Sequence, residues 1–288
     1  MTTRAIKQNP LGSAESSKTS KTGMEPHQGM VAIPQYSLRK ILLIWAAAAL
    51  PMGLLGWVVA PALAHDPQNP GFERQAVLMI GLVWQFLLVM LLIYREAGNL
   101  RWSTIRQRLW LQAPRSPRTG KARGRLWWWV IAFVLLTALF DLQLKGAVNH
   151  FWVSAFPLLA EPHGFDLGSA LATPAAKAQL AGAWDVWGLF VVSALFNTFV
   201  GEELLFRGLL LPRMAGAFGK GDWVMNGLLF GLYHLHQPWG ILSSAIDGIV
   251  CYALPSRTFR SAWFGVIAHS GQSIFLALLL LGLVLRLA

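Results

Sequence analysis

The chain has 288 residues, of which 55% are hydrophobic and 13% are charged, and its formal net charge is +11. Soluble domains carry about 25% charged residues, so this composition excludes an ordinary soluble domain and predicts a polytopic membrane protein. The basic residues are confined to segments between apolar runs, which excludes nucleic acid as a partner and makes them topology signals. The single cysteine, Cys251, excludes an internal disulfide and a multi-cysteine metal site.

The first 37 residues are polar and rich in Ser, Thr, Lys and Gly. Such a segment has too little apolar surface to bury, so residues 1–37 are predicted to be a disordered tail.

Apolar segments follow the tail, and most of them approach the roughly 20 residues that a spanning helix needs. They cover residues 41–63, 76–94, 126–144, 183–212, 223–236, 239–255 and 262–285. We therefore predict an all-α bundle with about seven (roughly six to eight) transmembrane helices. A further stretch, 148–160, is short and contains Pro157, so it is expected to be interfacial or re-entrant.

Lysine and arginine are distributed unevenly over the connections. Six lie between residues 4 and 40 and nine lie between 95 and 125, whereas residues 64–75 contain only Arg74. Because basic connections stay in the cytoplasm, the tail and residues 95–125 are predicted to be cytoplasmic.

Two adjacent carboxylates, Glu202 and Glu203, stand inside an apolar run that is long enough to cross a bilayer. Each charge at a bilayer centre costs roughly 2.5–3.5 kcal/mol unless it is paired or hydrated. On a helix, Glu203 and Arg207 are four residues apart and can pair, which fits packing as well as function. Glu202 lies about 100° further round the helix without a partner on it, and therefore points to function.

Two histidines stand in other apolar runs. His234 ends the run FGLYHLHQP, and Phe230 lies on the same helical face. An intramembrane histidine of this kind is a candidate functional residue. His236 points nearly opposite to His234 on a helix, so it is expected to be solvated at the interface.

His269 lies in the run WFGVIAHSGQS, with Gln272 and Ser273 on the same face. This face is either part of a site or a hydrogen-bonded seam between helices. Asp247 lies on another polar stripe, where it either supports a site or packs between helices.

This set of residues favours hydrolysis. A carboxylate and an imidazole can together activate a water molecule, and a second imidazole with a small polar donor can stabilise an oxyanion. The same residues, Glu202, His234 and His269, could instead bind zinc.

Three motifs give the chain a resemblance to a known family. GEELLFRG fits EExxxR, FGLYH fits FxxxH, and His269 with Ser273 falls where the family has HxxxN. In this order the motifs resemble those of the CAAX prenyl endopeptidase and bacteriocin-processing (CPBP, or Abi) family of intramembrane proteases. The resemblance covers about residues 184–280. It therefore suggests an N-terminal transmembrane region at 38–182 and a protease core at 183–288.

The resemblance implies a role for each motif residue. Glu202 would be the general base, His234 its partner in activating water, and His269 an oxyanion stabiliser together with Ser273. The supporting residues would be Glu203, Arg207, Phe230, Gln272 and Asp247. Ser273 departs from the family pattern, which has Asn at this position. The implied mechanism needs no cofactor, although zinc stays an alternative.

The resemblance further implies a membrane-associated protein or peptide as substrate, and a cleft that opens on the cytoplasmic side. Composition favours a bacterial inner membrane. Two other functions stay open: a non-catalytic bacteriocin-immunity or peptide-binding protein on the same fold, and a proton-coupled transporter. The transporter reading has little support, because no inverted repeat or paired broken helices are visible.

Overall fold

The computed structural model describes residues 33–63, 70–162, 165 and 174–287, together with Met1. Within these ranges the chain is helical and contains no strand beyond one isolated bridge between Arg115 and Ala122. The helices, in chain order, are α1 (Leu38–Leu63), α2 (Pro70–Ala97), α3 (Trp102–Arg108), α4 (Gly124–Ala155), α5 (Pro174–Leu180), α6 (Trp184–Arg213), α7 (Asp222–Tyr233), α8 (241–259) and α9 (Trp263–Val284). The predicted all-α class is confirmed.

Five of these described helices are long and apolar enough to cross a membrane: α1, α2 over Glu73–Ala97, α4, α6 and α9. The protein is therefore an integral membrane protein. The other two expected spans are the shorter helices α7 and α8. With 12 residues, α7 rises only about 18 Å, which is less than the roughly 30 Å of a bilayer core. Both short helices pack against each other and against the longer ones.

The stretch 148–160 is not the separate interfacial or re-entrant segment that the sequence predicts. Residues up to Ala155 continue α4, and only then does the chain leave the helix at Phe156, before a short turn at Pro157–Leu159. The proline therefore marks the end of a long helix. Its Cδ disfavours helical geometry at the preceding residue, which explains why α4 ends where it does.

The predicted tail lies mostly outside the described residues, and the domain boundaries that the sequence suggests stay predictions. At residues 35 and 36, however, the chain already contacts the bundle. The Gln35 amide donates to the Pro212 carbonyl at 2.9 Å, and the Tyr36 backbone N–H donates to the Arg213 carbonyl at 2.9 Å. Ordered packing thus begins before residue 37.

One end of the bundle is held by a buried ionic cluster. Arg213 Nη2 lies 2.7 Å from Glu96 Oε2, and the Tyr36 phenol also donates to Glu96. Burial raises the pKa of the Tyr36 phenol, so the phenol stays protonated and can donate. We call this end, where α2 and α6 finish, the basic end.

The other end of the bundle is held by aromatic and backbone contacts. Trp57 Nε1 donates to the Leu235 carbonyl at 2.8 Å, Trp152 Nε1 donates to the Pro238 carbonyl at 2.9 Å, and the Gly182 N–H donates to the Val284 carbonyl at 2.9 Å. We call this end, where α1, α4 and α9 finish, the opposite end.

Candidate active site

Three helices bring Glu202, His234 and His269 to a single cavity. Glu202 of α6, His234 at the end of α7 and His269 of α9 all line a cavity of about 240 Å³. Around Glu202, the backbone of α6 is hydrogen-bonded as a π-helix over Leu195–Leu210. Such π-type segments are frequent at functional sites. The convergence that the sequence suggested is thus present.

Glu203 is the centre of the polar contacts. Its Oε1 accepts from Arg207 Nη1 at 2.9 Å, as the spacing of four predicts, and lies 3.1 Å from His269 Nδ1. Both members of the ion pair are completely buried. Because an ionised carboxylate can only accept, the His269 nitrogen must donate to it. Glu203 therefore fixes the orientation of His269 as well as balancing Arg207.

Glu202 is buried but has a free acceptor. Its Oε2 has no hydrogen-bond partner among the described residues and lies 4.0 Å from His269 Nε2. The Tyr233 phenol lies beside the same carboxylate and accepts from Gln85 Nε2 at 2.5 Å. A gap of 4.0 Å is too long for a direct hydrogen bond and is of the length that a bridging water spans.

His234 is oriented by the backbone. Its Nδ1 lies 2.9 Å from the Phe230 carbonyl, which can only accept, so Nδ1 carries the proton. In the neutral ring, Nε2 then keeps a free lone pair in the cavity. His234 is therefore able to act as a proton acceptor.

Aromatic rings enclose these polar groups. The Phe230 ring centroid lies 4.1 Å from the Arg207 guanidinium carbon and 4.9 Å from the His234 ring. Tyr252 stacks on His269 at 4.9 Å with an interplanar angle of 16°. Cation–π contacts of this kind stabilise a desolvated arginine, and the stacking holds the imidazole plane.

Two glycines allow the helices to approach this closely. A Cβ at Gly265 would collide with the Glu203 carboxylate and lie 3.1 Å from Arg207 Cγ. A Cβ at Gly248 would lie 2.8 Å from Phe230 Cδ1, and the Gly248 carbonyl accepts from Arg207 Nη2 at 3.2 Å. Small residues at helix interfaces permit such contacts between neighbouring helices.

The remaining predicted residues have different positions. Gln272 lines the cavity and donates to Asp141, and Asp247 also lines it with Oδ1 lacking a hydrogen-bond partner among the described residues. Ser273 is half-buried and is not among the residues that line the cavity. On α9 the cavity therefore lies beside Gln272, the third residue after His269, and not beside Ser273, the fourth.

His236 corrects another expectation. It is buried, lines the cavity and stacks on His234 with ring centroids 5.6 Å apart. The expectation that it points away assumed a helix that continues, whereas the regular helix ends at Tyr233. Its backbone carbonyl accepts a hydrogen bond from Arg74.

Several residues of the cavity were missed by the sequence analysis. They are Gln85 and Tyr233 beside Glu202, and the lining residues Gln75, Lys145, Asn149 and Asn197. Gln85 carried a signal, since it is a polar residue in the middle of an apolar span. Lys145 and Asn149 carried none, because their position depends on α4 extending to Ala155.

The alternative of a zinc site depends on how the donor atoms of the cavity are placed. Among the residues that the structure describes, no group of three or more His, Cys, Asp and Glu side chains is arranged to hold a metal ion. His234 and His269 each use Nδ1 in a hydrogen bond, and the latter bond joins the ring to Glu203. Both Nε2 atoms stay available, and a histidine that binds a metal commonly donates its other ring N–H to a carboxylate or carbonyl, so zinc binding by Glu202, His234 and His269 stays a prediction that chelation tests.

Residues 183–275 match the family described as type II CAAX prenyl endopeptidase Rce1-like. The match includes all three motifs and supports the resemblance to the CAAX and CPBP proteases that the motifs predicted. It also supports an intramembrane endopeptidase in general. The comparisons with curated proteins and with solved structures gave no match.

Proposed function

From the match of residues 183–275 to the Rce1-like CAAX prenyl endopeptidase family, we propose that this protein hydrolyses a peptide bond of a membrane-associated protein or peptide. Glu202 activates the water. The observation that carries the proposal is the free Oε2 of Glu202, which is buried and faces the imidazole of His269 across 4.0 Å.

The proposed reaction starts with a water molecule between Glu202 and the imidazoles. Glu202 takes one proton from this water while the water oxygen attacks the carbonyl carbon of the scissile bond, and His234 Nε2 accepts a hydrogen bond from the proton that the water keeps. When the resulting tetrahedral intermediate collapses, the C–N bond breaks and the proton moves from Glu202 to the leaving amine. The products are a carboxylic acid and an amine.

The developing oxyanion needs a hydrogen-bond donor. We assign this role to His269, whose ring is held by Glu203 on one edge and by Tyr252 on one face. Because Nδ1 already donates to Glu203, Nε2 donates to the oxyanion in the form of the ring that carries a proton on each nitrogen. Ser273 is not needed in this scheme.

The test uses the purified protein and a set of quenched-fluorescent peptides with apolar flanks. Glu202→Gln should lower the cleavage rate by about 100- to 10,000-fold, the usual contribution of a general base. Asp185→Asn is the matched control, because Asp185 is an exposed carboxylate near the start of the same helix, and it should keep the wild-type rate.

Cleavage by Glu202→Gln at the wild-type rate would contradict the assignment of the base. Binding of peptides without cleavage by the wild-type protein would favour the non-catalytic alternative. A proton-coupled flux in proteoliposomes would favour the transporter. We further propose the bacterial inner membrane as the location, on the basis of composition.

A further inference from the structure

The cavity and the basic segment lie at opposite ends of the bundle. Seven helices, α1, α2, α4 and α6 to α9, alternate in direction along the chain, and contacts fix which end each one reaches. For example, the Ala262 N–H donates to the Trp110 carbonyl at the basic end, at 2.9 Å, and α9 then runs to Val284 at the opposite end.

The cavity opens away from the basic end. Its outer lining consists of residues near the opposite end, on α2, α4, the connection between α7 and α8, and the start of α8. These are Gln75, Asn149, Gln237, Trp239, Gly240 and Ser244. All six residues are partly exposed.

Toward the basic end, the site is closed by packed side chains. Phe206, Leu209, Leu210, Arg213 and Met214 are completely buried. Arg213 fills this region with hydrogen bonds to two backbone carbonyls and the Glu96 carboxylate. Packed side chains therefore separate Glu202 from this end of the bundle.

The charge at the two ends differs strongly. The connections at the basic end hold nine Lys and Arg residues in 95–125, to which Lys220, Arg257 and Arg260 add. The connections at the opposite end, 64–75 and 156–183, hold only Arg74 and Lys177. By the positive-inside rule, the basic end is cytoplasmic.

We infer that the cleft admits its substrate from the outer face of the membrane, opposite to the basic segment 95–125. A cytoplasmic basic segment and a cleft that opens to the cytoplasm are incompatible in this fold, because the two lie at opposite ends. The substrate class is then a peptide segment exposed on the outer side of the membrane. The claim that such a peptide is cleaved rests on the proposed function, whereas the side on which the cleft opens does not.

The experiment measures labelling of single cysteines in spheroplasts. Cys251, the only cysteine, is buried and is replaced by Ala to give the background. Gln237→Cys and Asn149→Cys report on the mouth of the cleft. Thr119→Cys, at an exposed position of the basic segment, reports on the other end without changing any charge.

A membrane-impermeant maleimide should label Gln237→Cys and Asn149→Cys in intact spheroplasts, and Thr119→Cys only after permeabilisation. The reverse pattern overturns the inference. Equal labelling of both ends in intact spheroplasts overturns it as well, because the protein then has no single orientation. Mouth cysteines that stay unlabelled after permeabilisation also overturn it, because no water reaches that mouth.

Activity distinguishes the inference from the proposed function. Quenched-fluorescent peptides that carry charged termini, and therefore do not cross the membrane, should be cleaved by spheroplasts and not by sealed inverted vesicles. If the mouth is labelled from outside but the detergent-solubilised protein cleaves no peptide, the proposed protease activity is refuted and the inferred side of the cleft stands. If inverted vesicles cleave the peptides and spheroplasts do not, the inferred side of the cleft is refuted and the proposed protease activity stands.

Discussion

At the residue scale, Glu203 contributes more than the sequence predicts. The spacing to Arg207 predicts one ion pair, and the structure contains it at 2.9 Å. The second contact, to His269 at 3.1 Å, joins residues 66 positions apart. No spacing rule reaches that far, because the contact depends on how closely α9 lies against α6. Local pairs could thus be predicted from the sequence, while the contact that orients the imidazole could not.

Glu203 and Glu202 should therefore respond differently to the same substitution. Glu203→Gln leaves Arg207 buried without a counter-charge, and removing one member of a buried pair costs about 3–5 kcal/mol. We expect a clear fall in the thermal unfolding midpoint together with loss of activity. Glu202→Gln should lose activity at an unchanged midpoint, since the ion pair of Arg207 is with Glu203 and not with Glu202. Thermal unfolding followed by tryptophan fluorescence checks both, and equal midpoints for the two variants would contradict this account.

Gly265 should be required for the geometry of the site. A Cβ there would collide with the Glu203 carboxylate, so Gly265→Ala must displace Glu203 or α9. Because displacement by about 1 Å can cost about 100-fold in rate, we expect a loss of about that size at a folded yield near wild type. Gly271→Ala is the control on the same helix, since its Cβ would meet nothing closer than Val134 Cγ1 at 3.9 Å. Equal rates for the two variants would show that Glu203 is not held in place.

Chelation should leave the activity unchanged. Glu202 and His234 can activate water without an ion, because Glu202 Oε2 is free and the neutral His234 ring keeps a lone pair on Nε2. We expect the same cleavage rate before and after treatment with EDTA or 1,10-phenanthroline. Zinc present in a one-to-one ratio, with activity lost on its removal and restored by its return, would prove this expectation wrong.

At the element scale, apolar length located the five long helices but misjudged where helices end. The sequence separates 148–160 from the preceding span, whereas the helix continues to Ala155. It also treats His236 as helical, whereas the helix ends at Tyr233. Both errors concern boundaries, which depend on contacts with distant residues, such as the bond from Trp152 to the Pro238 carbonyl.

The pair α7 and α8 relies on two glycines that are four residues apart. A Cβ at Gly227 would collide with the Ile249 backbone, and one at Gly231 would lie 2.8 Å from the Ala245 backbone. This spacing is the small-xxx-small pattern that lets membrane helices approach closely. It is visible in the sequence, although its partner helix is not.

Gly231→Ala should therefore force α7 away from α8. His234 follows three residues later, so we expect loss of cleavage and a lower unfolding midpoint together. Gly188→Ala on α6 is the control, because no atom lies within 4 Å of the added Cβ. Wild-type activity in Gly231→Ala would mean that the two helices can separate without moving the imidazole.

At the scale of the whole molecule, the distribution of charge and the position of the cleft have to be read together. The sequence alone gives the charge, because Lys and Arg are counted directly. It cannot give the direction in which the cleft opens, because that depends on which ends of α2, α4 and α7 contribute Gln75, Asn149 and Gln237. The expected cytoplasmic entry came from the family resemblance and conflicts with the expected cytoplasmic position of 95–125.

The exposed charges of the basic segment should hold this orientation. Arg118, Lys121, Arg123 and Arg125 are all exposed, and none of their side chains forms a described ion pair or hydrogen bond. Replacing the four with Gln therefore leaves packing intact and weakens only the topology signal. In the Thr119→Cys, Cys251→Ala background, we expect part of the protein to become labelled by an impermeant maleimide in intact spheroplasts. Lys177→Gln, at the opposite end, is the matched control and should reinforce the original orientation. If the fourfold variant stays fully protected, the remaining basic residues or the packing of the first helices determine the orientation instead.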